Sequence, residues 1–79
     1  MKLRDNDNAI KDLSRVIKLK PDFAAAFIKR GVAYYENGNY LQAMEDYSRA
    51  LQLHTEDINL PGLIEQTKSK LATIAKENK

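Results

Sequence analysis

Apolar residues recur along this chain at intervals of three and four. They fall at 9, 10, 13, 16, 17 and 19, then at 23, 24, 27, 28, 32, 34 and 35, then at 40, 43, 44, 47, 50, 51 and 53. This is the spacing of one face of an α-helix, and the period-two alternation of a half-buried strand is absent. Pro21 stops the first run, with Lys18 and Lys20 in its last turn, where cations suit the helix dipole. Asp22 is an acceptable N-cap for the second. A final stripe of Leu60, Leu63, Ile64, Leu71, Ile74 and Ala75 lies opposite Glu65, Gln66, Lys68, Ser69, Lys70, Lys76 and Glu77. Asn59 can cap that run, and Pro61 is tolerated in its first turn. The pattern predicts an all-α chain of four helices over 5–19, 22–37, 39–53 and 60–77.

One signal competes. Asn37-Gly38 between apolar stretches is the dipeptide of a tight β-hairpin. Its flanks carry the helical period on both sides, so Gly38 is expected instead as the left-handed residue that closes one helix. Asn39 then caps the next, with Gln42 completing part of a capping box. Two helices joined this tightly must lie antiparallel.

The segments "AIKDLSRVIKLKPD" (9–22) and "AMEDYSRALQLHTE" (43–56) are related by an offset of 34 residues. Ala9/Ala43, Asp12/Asp46, Ser14/Ser48, Arg15/Arg49 and Leu19/Leu53 are identical, and Ile10/Met44, Leu13/Tyr47 and Ile17/Leu51 are apolar in both. A fixed period of this kind marks stacked repeats. With Phe27, Gly31 and Tyr34 in the first helix of the unit 24–57, and Ala43, Tyr47 and Ala50 in the second, the chain resembles the tetratricopeptide repeat family. It departs from the family pattern at Arg30, where leucine is usual, at Thr55, where proline is usual, and at Val16, where a small residue is usual. The register implied is a partial repeat over 5–23, a full repeat over 24–57 and a polar-faced capping helix within 58–79, stacked as a short right-handed solenoid. Gly31, Ala43 and Ala50 are the positions where two helix backbones come closest, with Phe27, Tyr34, Tyr40 and Tyr47 filling the space beside them.

The resemblance implies a non-catalytic protein–protein interaction module that holds a peptide or a partner domain on a concave face lined by the first helix of each unit. Here that helix is 23–36, and the side away from its Gly31/Tyr34 seam carries Ala25, Ile28, Lys29, Val32, Tyr35 and Glu36, the expected partner-binding residues. Tyr35 and Ile28 would supply apolar anchor area, Lys29 a charge for a carboxylate and Glu36 one for a basic group. Ile28 and Val32 have an alternative role, packing against the last helix. One subclass of the family clamps a C-terminal carboxylate; Lys29 matches one of its basic positions and Ala25 does not match the other, so a chaperone clamp is unsupported in this chain.

Composition narrows the rest. Seventy-nine residues make one small domain, 43% apolar and 30% charged, with 13 basic and 11 acidic residues for a net +2. That balance gives no pull toward nucleic acid or membrane. Cysteine is absent, which excludes disulfides and thiolate metal sites. No apolar run is long enough to span a bilayer, and "MKLRDNDN" lacks the apolar core of a signal peptide, so a cytoplasmic setting is expected. "DNDN" at 5–8 starts like a calcium loop, but Ile10 stands where its glycine belongs and Val16 where its glutamate belongs, and Asp5 is better read as a helix N-cap. His54 is a lone histidine at a helix end. Glu36, Glu45 and Asp46 have no nucleophile or phosphate loop beside them. No catalytic residue, metal site or cofactor is expected.

Lys11, Arg15 and Lys18 form a basic stripe, the remote alternative being a nucleic-acid surface; a solvated outer face is the simpler reading. A further alternative is self-assembly. In the 34-residue register the chain starts midway through a unit: Ala9, Ile10, Leu13, Val16 and Ile17 spread around much of the first helix, one side packing on helix 23–36 and the other left without the helix that would cover it. A homodimer, or an oligomer swapped across Gly38, is the expected remedy.

Overall fold

The computed structural model describes residues 6–53 and 55–77. Four α-helices account for most of them: α1 (Asn6–Leu19), α2 (Ala24–Glu36), α3 (Tyr40–Gln52) and α4 (Leu60–Glu77). No strand occurs among the described residues. The bounds follow the hydrophobic period to within two residues at every end. Asp5 and His54 lie outside the described residues.

The α2–α3 joint is a helix end of the Schellman type. Asn37 is the last residue in right-handed conformation, and Gly38 follows with φ of 83°. The Gly38 N–H donates to Tyr35 at 3.0 Å and the Asn39 N–H to Tyr34 at 2.8 Å, so two carbonyls that the helix would leave open are satisfied. A side chain at Gly38 would meet no atom within 4 Å, so backbone conformation alone asks for glycine there.

The caps differ from expectation. Asn39 occupies the N-cap of α3, and its carbonyl accepts from Ala43 at 3.0 Å, but its side chain makes no capping bond and the box with Gln42 does not form. Asn39 has ψ of 69°, set by the turn that precedes it. At α2 the N-cap is Phe23, not Asp22. Pro21 and Asp22 belong to a tight turn closed by the Phe23 N–H on the Lys20 carbonyl at 3.1 Å, and the helix begins only after it.

α2 and α3 pack most extensively, α1 lies against α2, and α4 against α3 with a lesser contact to α2. The core is Phe27 and Ile28 from α2, Ala43, Tyr47 and Ala50 from α3, and Leu60 from α4. Ala43 and Ala50 are wholly buried, as the small residues at a close helix crossing must be. α4 keeps Leu60 buried and Leu63, Ile64 and Leu71 half-buried, but its apolar stripe does not run to the end: Ile74 and Ala75 are exposed. Between them Thr67, absent from the expected stripe, is fully buried and returns its hydroxyl proton to the Leu63 carbonyl at 2.8 Å.

Arg30 is the principal departure from a purely apolar interior. Its guanidinium grips Asp46 through two bonds of 2.8 and 2.7 Å and donates to the Ser14 hydroxyl at 3.1 Å, joining α1, α2 and α3. Phe27 and Tyr34 flank it at 5.7 and 5.8 Å from their ring centroids. The Asp46 bond chiefly, against the cost of burial, raises the Arg30 pKa further above its ordinary value. The residue that departs from the family pattern at position 30 is therefore a cross-helix tie.

Tyr47 is buried with its hydroxyl oxygen unpartnered among the described residues. Burial is the main cause that raises its pKa above the ordinary 10.0; nearby Thr67 partly offsets the rise, and Tyr35, Asp46 and Glu36 add to it. The folded state thus holds the phenol proton where the unfolded chain releases it, so this contribution to stability is whole below about pH 10 and is lost as the pH climbs through the folded value. Urea midpoints measured from pH 8 upward are expected to fall in alkali for the wild type and to fall less for Tyr47→Phe. At neutral pH Tyr47→Phe is expected to cost nothing, because it removes a buried group that has no bond to lose.

Candidate protein-interaction face

α2 is sandwiched on three sides. Ala26 and Ala33 are buried, and Asn37 at the end of α2 bonds with Asn6 and Asp7 of α1. Gly31 faces α3, and Ile28 faces the core shared with Leu60. What remains open is a strip along the helix in which Ala25, Lys29 and Glu36 are exposed and Val32 is half-buried. Positions 25, 29, 32 and 36 are spaced as one helix face.

Beside this strip an open groove of about 450 Å³ runs between α2 and α4. Ile28, Val32 and Leu63 give it an apolar floor, while Asp57, Asn59 and Gln66 supply polar edges. Asp57 is fixed by its own loop: one carboxylate oxygen accepts the Asn59 N–H at 2.8 Å. Gly62 also borders the groove, with no atom within 4 Å of where a side chain would start. A larger depression of about 670 Å³ involves Leu41, Met44, Glu45, Ser48, Arg49 and Gln52. All six belong to α3, so it is the relief of one helix surface and not a cleft between elements.

The six residues expected to bind a partner share one side of α2 but not one environment. Ile28 is only 8% exposed and joins the core, which is the packing role left open for it. Val32 packs against the same core and also borders the groove. Tyr35 is half-buried and meets Tyr40 edge-on at 5.1 Å, so its ring is turned toward the α2–α3 joint. Lys29 has no ion-pair partner among the described residues. The sequence pattern missed Asp57, Asn59 and Gln66, which come from the loop before α4 and from its outer face; no periodicity marks residues whose position depends on where α4 docks.

Elsewhere, Lys11, Arg15 and Lys18 are exposed on α1. No described helix is long and apolar enough to cross a membrane.

A stacked pair of antiparallel helices, closed by a glycine turn and followed by a helix in the position of a next unit, defines a helical-repeat protein. A tetratricopeptide repeat family model matches residues 1–58, and the chain belongs to that family. Repeats of this kind mediate protein–protein interaction and are typically non-catalytic. Human DnaJ homolog subfamily C member 7 is 33% identical over 51 residues, which cover 65% of this chain and 10% of that protein. The chain thus spans about a tenth of the length of this curated relative.

Proposed function

We propose that this chain is a non-catalytic scaffold module that binds a peptide or partner domain along the Ala25/Lys29/Val32/Glu36 strip of α2, with the α2–α4 groove taking an apolar side chain. The observation that carries this reading is the continuity of the strip with the groove: Val32 belongs to both, and with Ile28 and Leu63 it gives the groove an apolar floor. Lys29 supplies a cation for a carboxylate of the partner, and Glu36 an anion at the far end. Residues 5–23 act as a partial repeat, 24–57 as the full repeat and 58–79 as its cap. A co-chaperone-like role in the cytoplasm is the setting to test first, supported by the similarity to a DnaJ homolog.

Ala25→Arg and Lys29→Glu are the variants of choice, since both side chains are exposed. Tyr35→Ala is not, because it removes the contact with Tyr40. Affinity capture with wild type and the double variant side by side is expected to lose the partner in the variant, with about tenfold or greater weakening and an unchanged melting temperature. Recovery of the same partners in equal amounts would defeat the proposal.

A second reading, self-assembly, is favoured by the open side of α1, where Leu19 is 83% exposed and Ala9, Leu13 and Val16 are only half-buried.

A further inference from the structure

The second unit of this chain offers a comparison for the open side of α1. Offset by 34 residues, Ala9, Asp12, Leu13, Val16 and Leu19 correspond to Ala43, Asp46, Tyr47, Ala50 and Leu53. In α3 the first four are at most 4% exposed, because α2 lies across them with Arg30 on Asp46, and Leu53 packs against the core. In α1 nothing among the described residues lies across the equivalents. Asp12 is exposed without an ion-pair partner among the described residues, and so is Arg15, one turn further on.

At about 100° per residue, Ala9, Leu13 and Val16 form a narrow ridge on α1, and Asn8, Asp12, Arg15 and Leu19 line the flank next to it. The other flank is taken: Ser14 bonds to Arg30, and Ile17 packs against the core. Asp12 and Arg15 place one acid and one base at adjoining exposed positions, and such a face is complementary to itself when a second copy runs antiparallel. A two-fold axis placed between residues 13 and 14 sets Asp12 of each copy opposite Arg15 of the other. It also staggers the two ridges, so that each Leu13 falls between Leu13 and Val16 of the opposing helix. Leu19 is brought over Asn8 of the other copy and loses much of its exposure. α2 stands on the far flank in both copies.

We infer that two copies of this chain associate through α1, antiparallel, with the Ala9/Leu13/Val16 ridges interdigitated and two Asp12–Arg15 pairs fixing the register. This rests on the self-assembly reading and gives it a geometry. The apolar ridge supplies the attraction, and the exposed pairs contribute little affinity but select one register. A single pair of short helices buries well under the about 1,600 Å² of a standard interface, so the dimer is weak.

Sedimentation equilibrium of the full chain, from about 10 to 500 µM, tests it. The wild type is expected to dimerise reversibly. D12R and R15D each set like charges across the axis and are expected to weaken dimerisation about tenfold or more, with helicity and melting temperature unchanged because both side chains are exposed. An equimolar mixture of D12R and R15D is expected to form a heterodimer, and the D12R/R15D double variant to recover the homodimer. Lys76→Glu, exposed at the far end of α4, is expected to leave dimerisation unchanged. A wild type that stays monomeric throughout overturns both self-assembly and this pairing. A dimer that survives D12R and R15D undiminished leaves self-assembly standing, through helix exchange at Gly38 or another surface, and overturns the α1 pairing. Loss in the single variants without recovery in the mixture or the double variant overturns it as well.

Discussion

Arg30→Leu is expected to remove about 3–5 kcal/mol, close to the whole stability of a domain this small. Leucine is the residue the family commonly places there, so the change looks like a repair. It is the reverse, because Asp46 is 4% exposed and both of its oxygens are held by the Arg30 guanidinium. Without that partner a carboxylate is left in the interior, or must take up a proton to stay there. The Ser14 hydroxyl loses its donor from α2 at the same time. The pair itself carries much less net stability than this loss, since burying two charges costs most of what their attraction returns. Arg30→Leu with Asp46→Leu is therefore expected to recover most of the stability, and Asp46→Ala alone to be as damaging as Arg30→Leu. Chemical denaturation of the four proteins, arranged as a double-mutant cycle, gives the coupling directly. A loss below about 1 kcal/mol for Arg30→Leu would mean that Asp46 reaches water in its absence.

The residues involved show which parts of this molecule a sequence makes legible. Helix positions were readable because apolar spacing reports burial, which is one-sided in α3 and α4 and broader in the sandwiched α2. The family was readable because Gly31, Ala43 and Ala50 are small for a geometric reason and because Ala9/Ala43, Asp12/Asp46, Ser14/Ser48 and Arg15/Arg49 repeat at a fixed interval. The Arg30–Asp46 tie was not, although both residues were in view. Asp46 reads as a repeated acid and Arg30 as a deviation, and nothing along the chain says that the two meet across sixteen residues. Buried Thr67 was hidden for a similar reason: a hydroxyl can return its proton to its own helix, so polarity in the letter is not polarity toward the core. The caps misled because Asp22 and Asn39 have the right side chains for capping, while the backbone entering each helix is set by Pro21 in one case and by the Gly38 turn in the other. On α2, a face could be named from periodicity alone. Its division into a buried Ile28, a stacked Tyr35 and an open Lys29 depends on where α4 and Tyr40 come to rest.

Gly31→Ala is expected to destabilise the domain by about 1–3 kcal/mol, even though alanine is the better helix former by close to 1 kcal/mol. A methyl group at Gly31 would stand 2.5 Å from Cε1 and 2.9 Å from Cδ1 of Tyr47, nearer than carbon atoms approach without something moving. The ring cannot swing aside, because Tyr47 is 1% exposed and enclosed by the core it shares with Phe27 and Leu60. The remaining way to make room is for α2 and α3 to part, which loosens the contact at wholly buried Ala43 and Ala50 and stretches the grip of Arg30 on Asp46. The damage thus spreads along the crossing. Thermal melts are expected to show a fall of several degrees for a domain of this length. The first unit suggests the rescue, since Leu13 stands where Tyr47 stands in the second. Tyr47→Leu alone leaves a cavity and is expected to destabilise. Gly31→Ala added to it is expected to cost little or to help, because the methyl group then fills space the ring has vacated. Tyr47→Phe offers no such relief, for Cε1 and Cδ1 stay in place. If Gly31→Ala proved neutral in the wild-type background, the close approach of α2 and α3 at this point would be wrong; if Tyr47→Leu failed to rescue it, the obstruction would lie with some neighbour other than the Tyr47 ring.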